Sequence, residues 1–417
     1  MKNDKILMLF FPLLIAGFII MAVIIDGGAA LSGFLRLQIK PARLINDFFM
    51  TEGVGAALVN SAAVGLTGFL VIVINGTRLS GPTYAAIFTM MGFGLFGKTP
   101  LNILPIFAGV FFASRFALKT FKEYIIIALF GTALGPLVSA IAFEAGLPAA
   151  IAIPAGIAGG VLTGFFLPAI AVSMLHLHQG YNLYNMGLTC GFFSLFAASL
   201  LKAGGSSLAA DSYWYIEPSL ALTLLIPVIS VLLIIVGFID GRGGSLKTFV
   251  KIQRQVGRLP SDFIDLVSVG GSFINSGMVG LFGTVIILII GGDFNGPVIG
   301  GLLTIMGFAA FGTHLKNSWP IVAGVIIAAL VFSMPLTSPG VQLAIIFCTT
   351  LAPVAGQFGI FPGILAGFLH MLMVSQTGSW QGGMNLYNNG FSGGLVAALI
   401  VAVVQWYRSN RKEKKFK

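Results

Sequence analysis

An all-α membrane protein built from two inverted copies of one unit is the fold class that this sequence predicts, and three observations predict it. Of 417 residues, 57% are hydrophobic and only 9% are Asp, Glu, Lys or Arg, against about 25% charged in a soluble domain. Apolar runs of about 20 residues, the length a helix needs to cross a bilayer, recur along the chain. The sequence also aligns with itself over much of its length.

The first run starts at the N-terminus. Met1-Lys2-Asn3-Asp4-Lys5 leads into an apolar stretch from Ile6 to Ile25. That is too long for a signal-peptide core, and no clean small-residue cleavage site follows, so it reads as a retained first span. Further long runs cover 53–75, 123–143, 181–201, 217–238, 269–291 and 385–406. Between them lie shorter or broken runs at 82–97, 101–117, 148–175, 296–312, 318–334, 341–357 and 359–376, interrupted by Gly and Pro. Together they make fourteen segments. The short ones read as spans or as re-entrant half-helices, which a membrane tolerates where they line a cavity enclosed by protein.

Basic residues orient these segments. With both termini inside, 18 Lys and Arg fall on inner segments and 5 (Arg36, Lys40, Arg43, Lys98 and Lys202) on outer ones. The predicted location is the inner membrane of a bacterial cell, multi-pass, with both termini cytoplasmic. The net charge of +10 is spread in short clusters between apolar runs, which excludes a basic nucleic-acid face. Cys190 and Cys348 lie in apolar runs without a CxxC spacing, so no disulfide is expected.

The duplication carries most information. A shift of 215 residues lays 60–110 on 275–325 without a gap, with 23 identities in 51 positions. Phe96-Gly97 falls on Phe311-Gly312, Asn102 on Asn317, and Pro105-Ile106 on Pro320-Ile321. A shift of 203 lays Asn182-Leu183-Tyr184-Asn185 on Asn385-Leu386-Tyr387-Asn388. The copies are 1–206 and 207–417, the second with a basic cytoplasmic loop at 239–268 and a basic tail at 408–417. Seven segments per copy is an odd number, so the second copy is predicted to be inverted, as in many secondary transporters.

The paired motifs Phe-Gly-x4-Asn-x2-Pro-Ile and Asn-Leu-Tyr-Asn resemble those of a bacterial family of multispanning membrane proteins known by a domain-of-unknown-function label. The resemblance implies a duplicated membrane domain and no activity. In architecture the seven-plus-seven count is similar to nucleobase and sulfate transporters, and the Asn-rich repeats are similar to urea transporters, without the signature motifs of either.

Polar residues within a membrane are costly unless they pair or line water, which makes them candidates for function. Asn182 and Asn185, and likewise Asn385 and Asn388, are three apart and would share a helix face. Each pair follows glycines at the start of an apolar helix, where free N–H groups favour a polar or anionic ligand. Tyr184 and Tyr387 add a hydroxyl or a stacking face. The plainer reading is that Asn and Gly cap and glue helices. Asn102 and Asn317 sit in Gly-rich breaks followed by Pro, the pattern of an interrupted helix; beside them, Lys98 and Lys316 read equally as interfacial anchors. His178 is a candidate to relay protons or bind a solute, or else a satisfied interhelical His. Gln381 takes the corresponding place in the second copy. His176 and His370 are weaker candidates, and no metal-ligand spacing is present.

Acids are scarce where a pump would need them. Nearly all 13 lie in loops or at helix ends, and only Glu144 is placed to face a cavity. Asp47 and Asp262, each four residues after Arg43 and Arg258, are expected to form matched ion pairs. No P-loop, GxSxG or metal spacing survives, so no enzyme and no cofactor are predicted. The reading that results is a secondary transporter of a small polar or anionic solute, with its site between the copies. A channel-like facilitator is the alternative, and an intramembrane enzyme or accessory subunit the second. Coupling, if any, would run on protons or on sodium held by backbone carbonyls. A homodimer is expected by analogy alone.

Overall fold

The computed structural model describes residues 2–146, 148–207, 211–241 and 244–413. Residues 414–417 of the basic tail lie outside the described residues. Apart from one isolated bridge between Asn46 and Tyr213, the regular structure is helical. The first ten helices are α1 (Lys2–Asp26), α2 (Ala29–Leu37), α3 (Phe48–Glu52), α4 (Val54–Ile74), α5 (Gly81–Phe93), α6 (Pro100–Phe116), α7 (Phe121–Gly131), α8 (Gly135–Ser139), α9 (Ala149–His178) and α10 (Asn185–Ala203). Ten more follow with the same order of long and short: α11 (Leu220–Asp240), α12 (Ser245–Ile252), α13 (Phe263–Leu266), α14 (Val269–Ile289), α15 (Gly296–Phe308), α16 (Leu315–Val331), α17 (Pro339–Phe347), α18 (Ala352–Phe358), α19 (Ile360–Trp380) and α20 (Asn388–Glu413).

Among the described residues, ten helices are long and apolar enough to cross a membrane, counting α7–α8 and α17–α18 as one each. The chain is a multi-pass membrane protein. Its outer helices α1 and α11 turn large apolar side chains outward, among them Leu9, Ile20, Ile24, Leu224, Val228 and Leu232. That is the surface lipid requires, since polar and ionisable side chains facing hydrocarbon are costly.

The four shorter helices behave differently from the spans that the apolar runs suggest. α5 and α15 have 13 residues each, a rise of about 20 Å against a core of about 30 Å. Each turns back at its end. Asn60 donates to the carbonyls of Gly94 and Lys98 at 2.6 and 2.7 Å, pinning the turn between α5 and α6. Asn275 does the same for Ala309 and Thr313 at 2.7 and 2.8 Å. The other end of α6 returns to the level at which α5 began, because Lys122 just beyond it donates to Gly76 O at 2.7 Å. α5–α6 is therefore a helical hairpin with both feet at one end.

The two hairpins meet in the middle. Every residue of α15 is buried, and every residue of α5 except Pro82. They run antiparallel: Gly92 near the end of α5 faces Gly300 near the start of α15, and Gly307 faces Ala85. A Cβ on Gly92 would stand 2.3 Å from Gly300 O, and one on Gly300 would stand 2.4 Å from Gly92 O. Glycine is required there because backbone meets backbone.

The expected Arg43–Asp47 and Arg258–Asp262 pairs do not form. Arg43 Nε instead pairs with Glu144 at 2.9 Å, and Arg258 donates to Gln179 O at 2.7 Å while stacking on Tyr181. The two Asp side chains point to helix ends, where backbone N–H groups compete for them more cheaply than a distant guanidinium.

Gly92→Ala is expected to lower thermal stability by about 1–3 kcal/mol, the cost of overpacking a fixed contact. Gly17→Ala, where a Cβ meets nothing within 4 Å, is expected to leave it unchanged or slightly raised. Detergent melting curves of the two variants check this, and equal melting temperatures would contradict it.

Candidate functional site

The Asn-Leu-Tyr-Asn motifs form turns, and helices begin at their last residue. The chain leaves α9 through left-handed Gln179 and Gly180 (φ 52° and 82°) and leaves α19 through Gly382 and Gly383 (φ 56° and 69°). Asn182 and Tyr184 thus precede α10, and Asn385 and Tyr387 precede α20. The expectation that each Asn pair shares one helix face is corrected: Asn185 and Asn388 are the first helical residues, and Asn182 and Asn385 sit in the turns.

The amides are committed to the fold. Asn182 Nδ2 donates to Gly390 O at 3.0 Å, and its Oδ1 accepts from Tyr184 N and the Thr350 hydroxyl. Asn385 mirrors it, donating to Gly187 O at 3.5 Å and to Gln381 Oε1 at 3.1 Å and accepting from Tyr387 N. Each turn therefore grips the first turn of the other motif's helix. There α10 and α20 cross, and a Cβ on Gly187 would lie 2.7 Å from Gly390 Cα. Asn185 bonds to His178 at 2.9 Å and to Ala171 O at 3.2 Å; Asn388 accepts from Thr377 at 2.7 Å. His178 Nδ1 accepts the N–H groups of Gly180 and Asn182, which leaves Nε2 to carry the proton toward Asn185. That is a capping histidine.

Asn102 and Asn317 cap the second helix of each hairpin. Asn102 bonds Thr99 N, Gly97 O and Ser139 Oγ at 2.9, 2.9 and 3.1 Å; Asn317 bonds His314 N and Gly312 O at 2.9 and 3.0 Å. Of the ten sequence candidates, only the two tyrosines and Gln381 keep buried polar atoms without a hydrogen-bond partner of good geometry.

Those tyrosines mark a centre. Tyr184 and Tyr387 rings lie 5.6 Å apart, with Phe308 4.4 Å from Tyr184 and Phe93 4.7 Å from Tyr387. Two large cavities are present, and the first reaches this centre. One, of about 450 Å³, runs from Pro82, Pro260 and Asp262 to Tyr184, Gly187 and Tyr387. The other, of about 590 Å³, is lined by Leu44, Ile45, Leu343, Gly378, Asn388 and Asn389 among others. The first has Leu259, Pro260, Ile126, Leu175, Asn185 and Met186 at the corresponding places. The cavities lie at opposite ends of the α5–α15 pair.

Sequence reasoning underrated Lys98. Placed by the charge count on an outer loop, it lies wholly buried at the α5–α6 turn, 0% exposed. Its Nζ stands 5.3 Å from the Phe93 ring centre and 6.0 Å from that of Tyr387, and it meets no hydrogen-bond acceptor. Thr313, its counterpart, is also buried with an unpartnered hydroxyl. The available signal was a Lys in one copy where the other carries Thr, between a matched Gly and a matched Asn.

Outside the spans, Asp47 accepts N–H groups of Phe49 at 3.0 Å, of Tyr215 at 3.1 Å and of Gly296. Burial pushes its carboxyl up to about 7 against the pull of those donors. Asp262 accepts from Gly81 N at 3.0 Å, and burial raises it too.

Fold and site define a polytopic membrane protein whose sequence halves interlock around a central aromatic cluster. Residues 27–203 and 242–406 match the model of a protein family described as "Protein of unknown function (DUF1576)", and the chain belongs to that family. No curated protein and no solved structure matches it.

Asn182→Ala and Asn385→Ala are both expected to destabilise the protein by about 1–3 kcal/mol through stranded buried backbone groups. Asn182 should cost more, since its bond across to the other turn is the shorter. Melting curves measure both, and an unchanged melting temperature for Asn182→Ala would contradict the assignment.

Proposed function

We propose that the protein is a secondary transporter of a small polar or anionic solute, working by alternating access between two inverted halves, 1–206 and 207–417. The observation that carries this reading is the pair of cavities. Six wall positions of one correspond to six of the other, yet the two open toward opposite ends of α5–α15. An inverted repeat produces such a pair, because exchanging the conformations of the halves exchanges which cavity reaches the centre.

In this reading α5–α6 and α15–α16 are re-entrant hairpins entering from opposite sides, and the ten long helices are the spans. The cavity at Asp262 faces the cytoplasm, because Lys119, Lys122, Lys251 and Arg258 cluster at that end. Both termini are then cytoplasmic, and the inner membrane of a bacterial cell is the location. The cavity walled by Tyr184 and Tyr387 is the one in contact with the centre, so the conformation is open inward.

A channel-like facilitator on the same scaffold is the second reading. The packed rings of Phe93, Phe130, Tyr184, Phe308 and Tyr387 favour the carrier, because a pore needs a continuous wet path.

A double variant separates the two. Met186→Cys opens on the inner cavity and Asn389→Cys on the outer one. Alternating access predicts that a bulky maleimide on Cys at 389 slows labelling at 186 in the same molecule. Independent labelling rates would indicate a channel.

A further inference from the structure

Three of the buried side-chain polar atoms without a hydrogen-bond partner stand around the central aromatic cluster. Lys98 Nζ and the hydroxyls of Tyr184 and Tyr387 are buried there and lack a hydrogen-bond partner of good geometry. Lys98 sits at the turn of one hairpin, and its counterpart Thr313, at the turn of the other, lies toward the far end of the antiparallel α5–α15 pair. Tyr387 belongs both to the wall of the inner cavity and to the surroundings of the ammonium.

Burying a polar group without a partner is costly, and an ammonium far more so. No acid among the described residues forms an ion pair with Lys98. Its neighbours are aromatic faces, which attract a cation but leave its three N–H donors unanswered. A carboxylate answers such a group in the most direct way, through a charge-assisted hydrogen bond.

We propose that Lys98 is the recognition group of a binding site for a small organic monoanion, a carboxylate carried on a flat apolar body. One cation sets the charge: Lys98 is a single positive group, with the two tyrosine hydroxyls beside it as neutral donors. The walls set the body. Ile126, Phe130, Leu183, Phe308 and Phe311 line the inner cavity, and its volume of about 450 Å³ suits a ring-sized ligand. A solute arriving from the cavity meets Tyr387 first, and that ring turns aside for the carboxylate to reach Nζ. The site's place on a transport path rests on the reading above; its charge and shape do not.

Calorimetric titration of the detergent-purified protein with benzoate tests this, with benzyl alcohol, benzylamine and acetate as comparison probes. Benzoate should bind, and benzyl alcohol and benzylamine should not. Acetate should bind more weakly, having no ring. Lys98→Met and Lys98→Thr should each weaken benzoate by about 10- to 100-fold, the loss of a charge-assisted hydrogen bond. Both variants should melt at or above the wild-type temperature, because each removes a buried charge. Lys316→Met, on an exposed lysine, should leave binding unchanged. No benzoate binding, or binding indifferent to both Lys98 substitutions, would overturn the proposal; acetate binding as tightly as benzoate would overturn the apolar body.

Benzoate uptake into proteoliposomes separates this site from the transport reading. Lys98-dependent binding without uptake would remove alternating access and keep the site. Uptake that survives Lys98→Met would keep transport and remove the site.

Discussion

A helix that ends inside a protein must find partners for its free backbone groups, and α5 and α15 both do. That requirement organises the rest of the structure. Asn60 and Asn275 take up carbonyls on either side of the two turns. Ser61 and Ser276 add bonds to Met91 O and Met306 O at 2.7 and 2.8 Å. At the opposite ends Asp262 and Asp47 receive the N–H groups that open α5 and α15. Acids are apt there, since the N-terminal end of a helix carries partial positive charge.

At the helix starts the partners come from the other half of the sequence. Asp47 serves the helix that starts at Gly296, and Asp262 serves the one that starts at Gly81. Leu183 packs on Gly312 and Leu386 on Gly97, each within 2.6 Å of a would-be Cβ. Asn182 reaches Gly390 and Asn385 reaches Gly187. Neither sequence half completes its own helix ends, so each depends on the other for a folded hairpin. The same interlock gives a route for motion: what shifts one turn shifts the hairpin of the other half. At one turn of that interlock stands a buried lysine, Lys98, where the second half carries Thr313.

Much of this was legible in the sequence. Composition alone required a membrane protein, and the alignment at a shift of 215 residues put Asn60 on Asn275 and Gly81-Pro82 on Gly296-Pro297, residues that now hold equivalent turns and helix starts. The Asn-Leu-Tyr-Asn motifs were recognised as special, but not why. Asn serves equally as ligand or cap, and only the partners of Asn182 and Asn385 decide between them. The ion pairs expected of Arg43 and Arg258 failed for a related reason. Spacing along the chain says nothing of a helix end arriving from 200 residues away. Lys98 was misplaced because a charged residue beside Gly and Pro reads as a loop at the surface, whereas the turn it occupies is sealed by the other half.

The central claim is that the halves are inverted, and one pair of residues tests it most directly. Leu118 and Ser333 occupy equivalent left-handed positions just after α6 and α16 (φ 55° and 52°), and both are exposed. Single cysteines at these positions, read against buried Cys190 and Cys348, can be labelled with a membrane-impermeant maleimide added to intact cells or to inside-out vesicles. The account predicts opposite sidedness, with position 333 reacting in cells and position 118 only in vesicles. Reaction of both from the same side would contradict it.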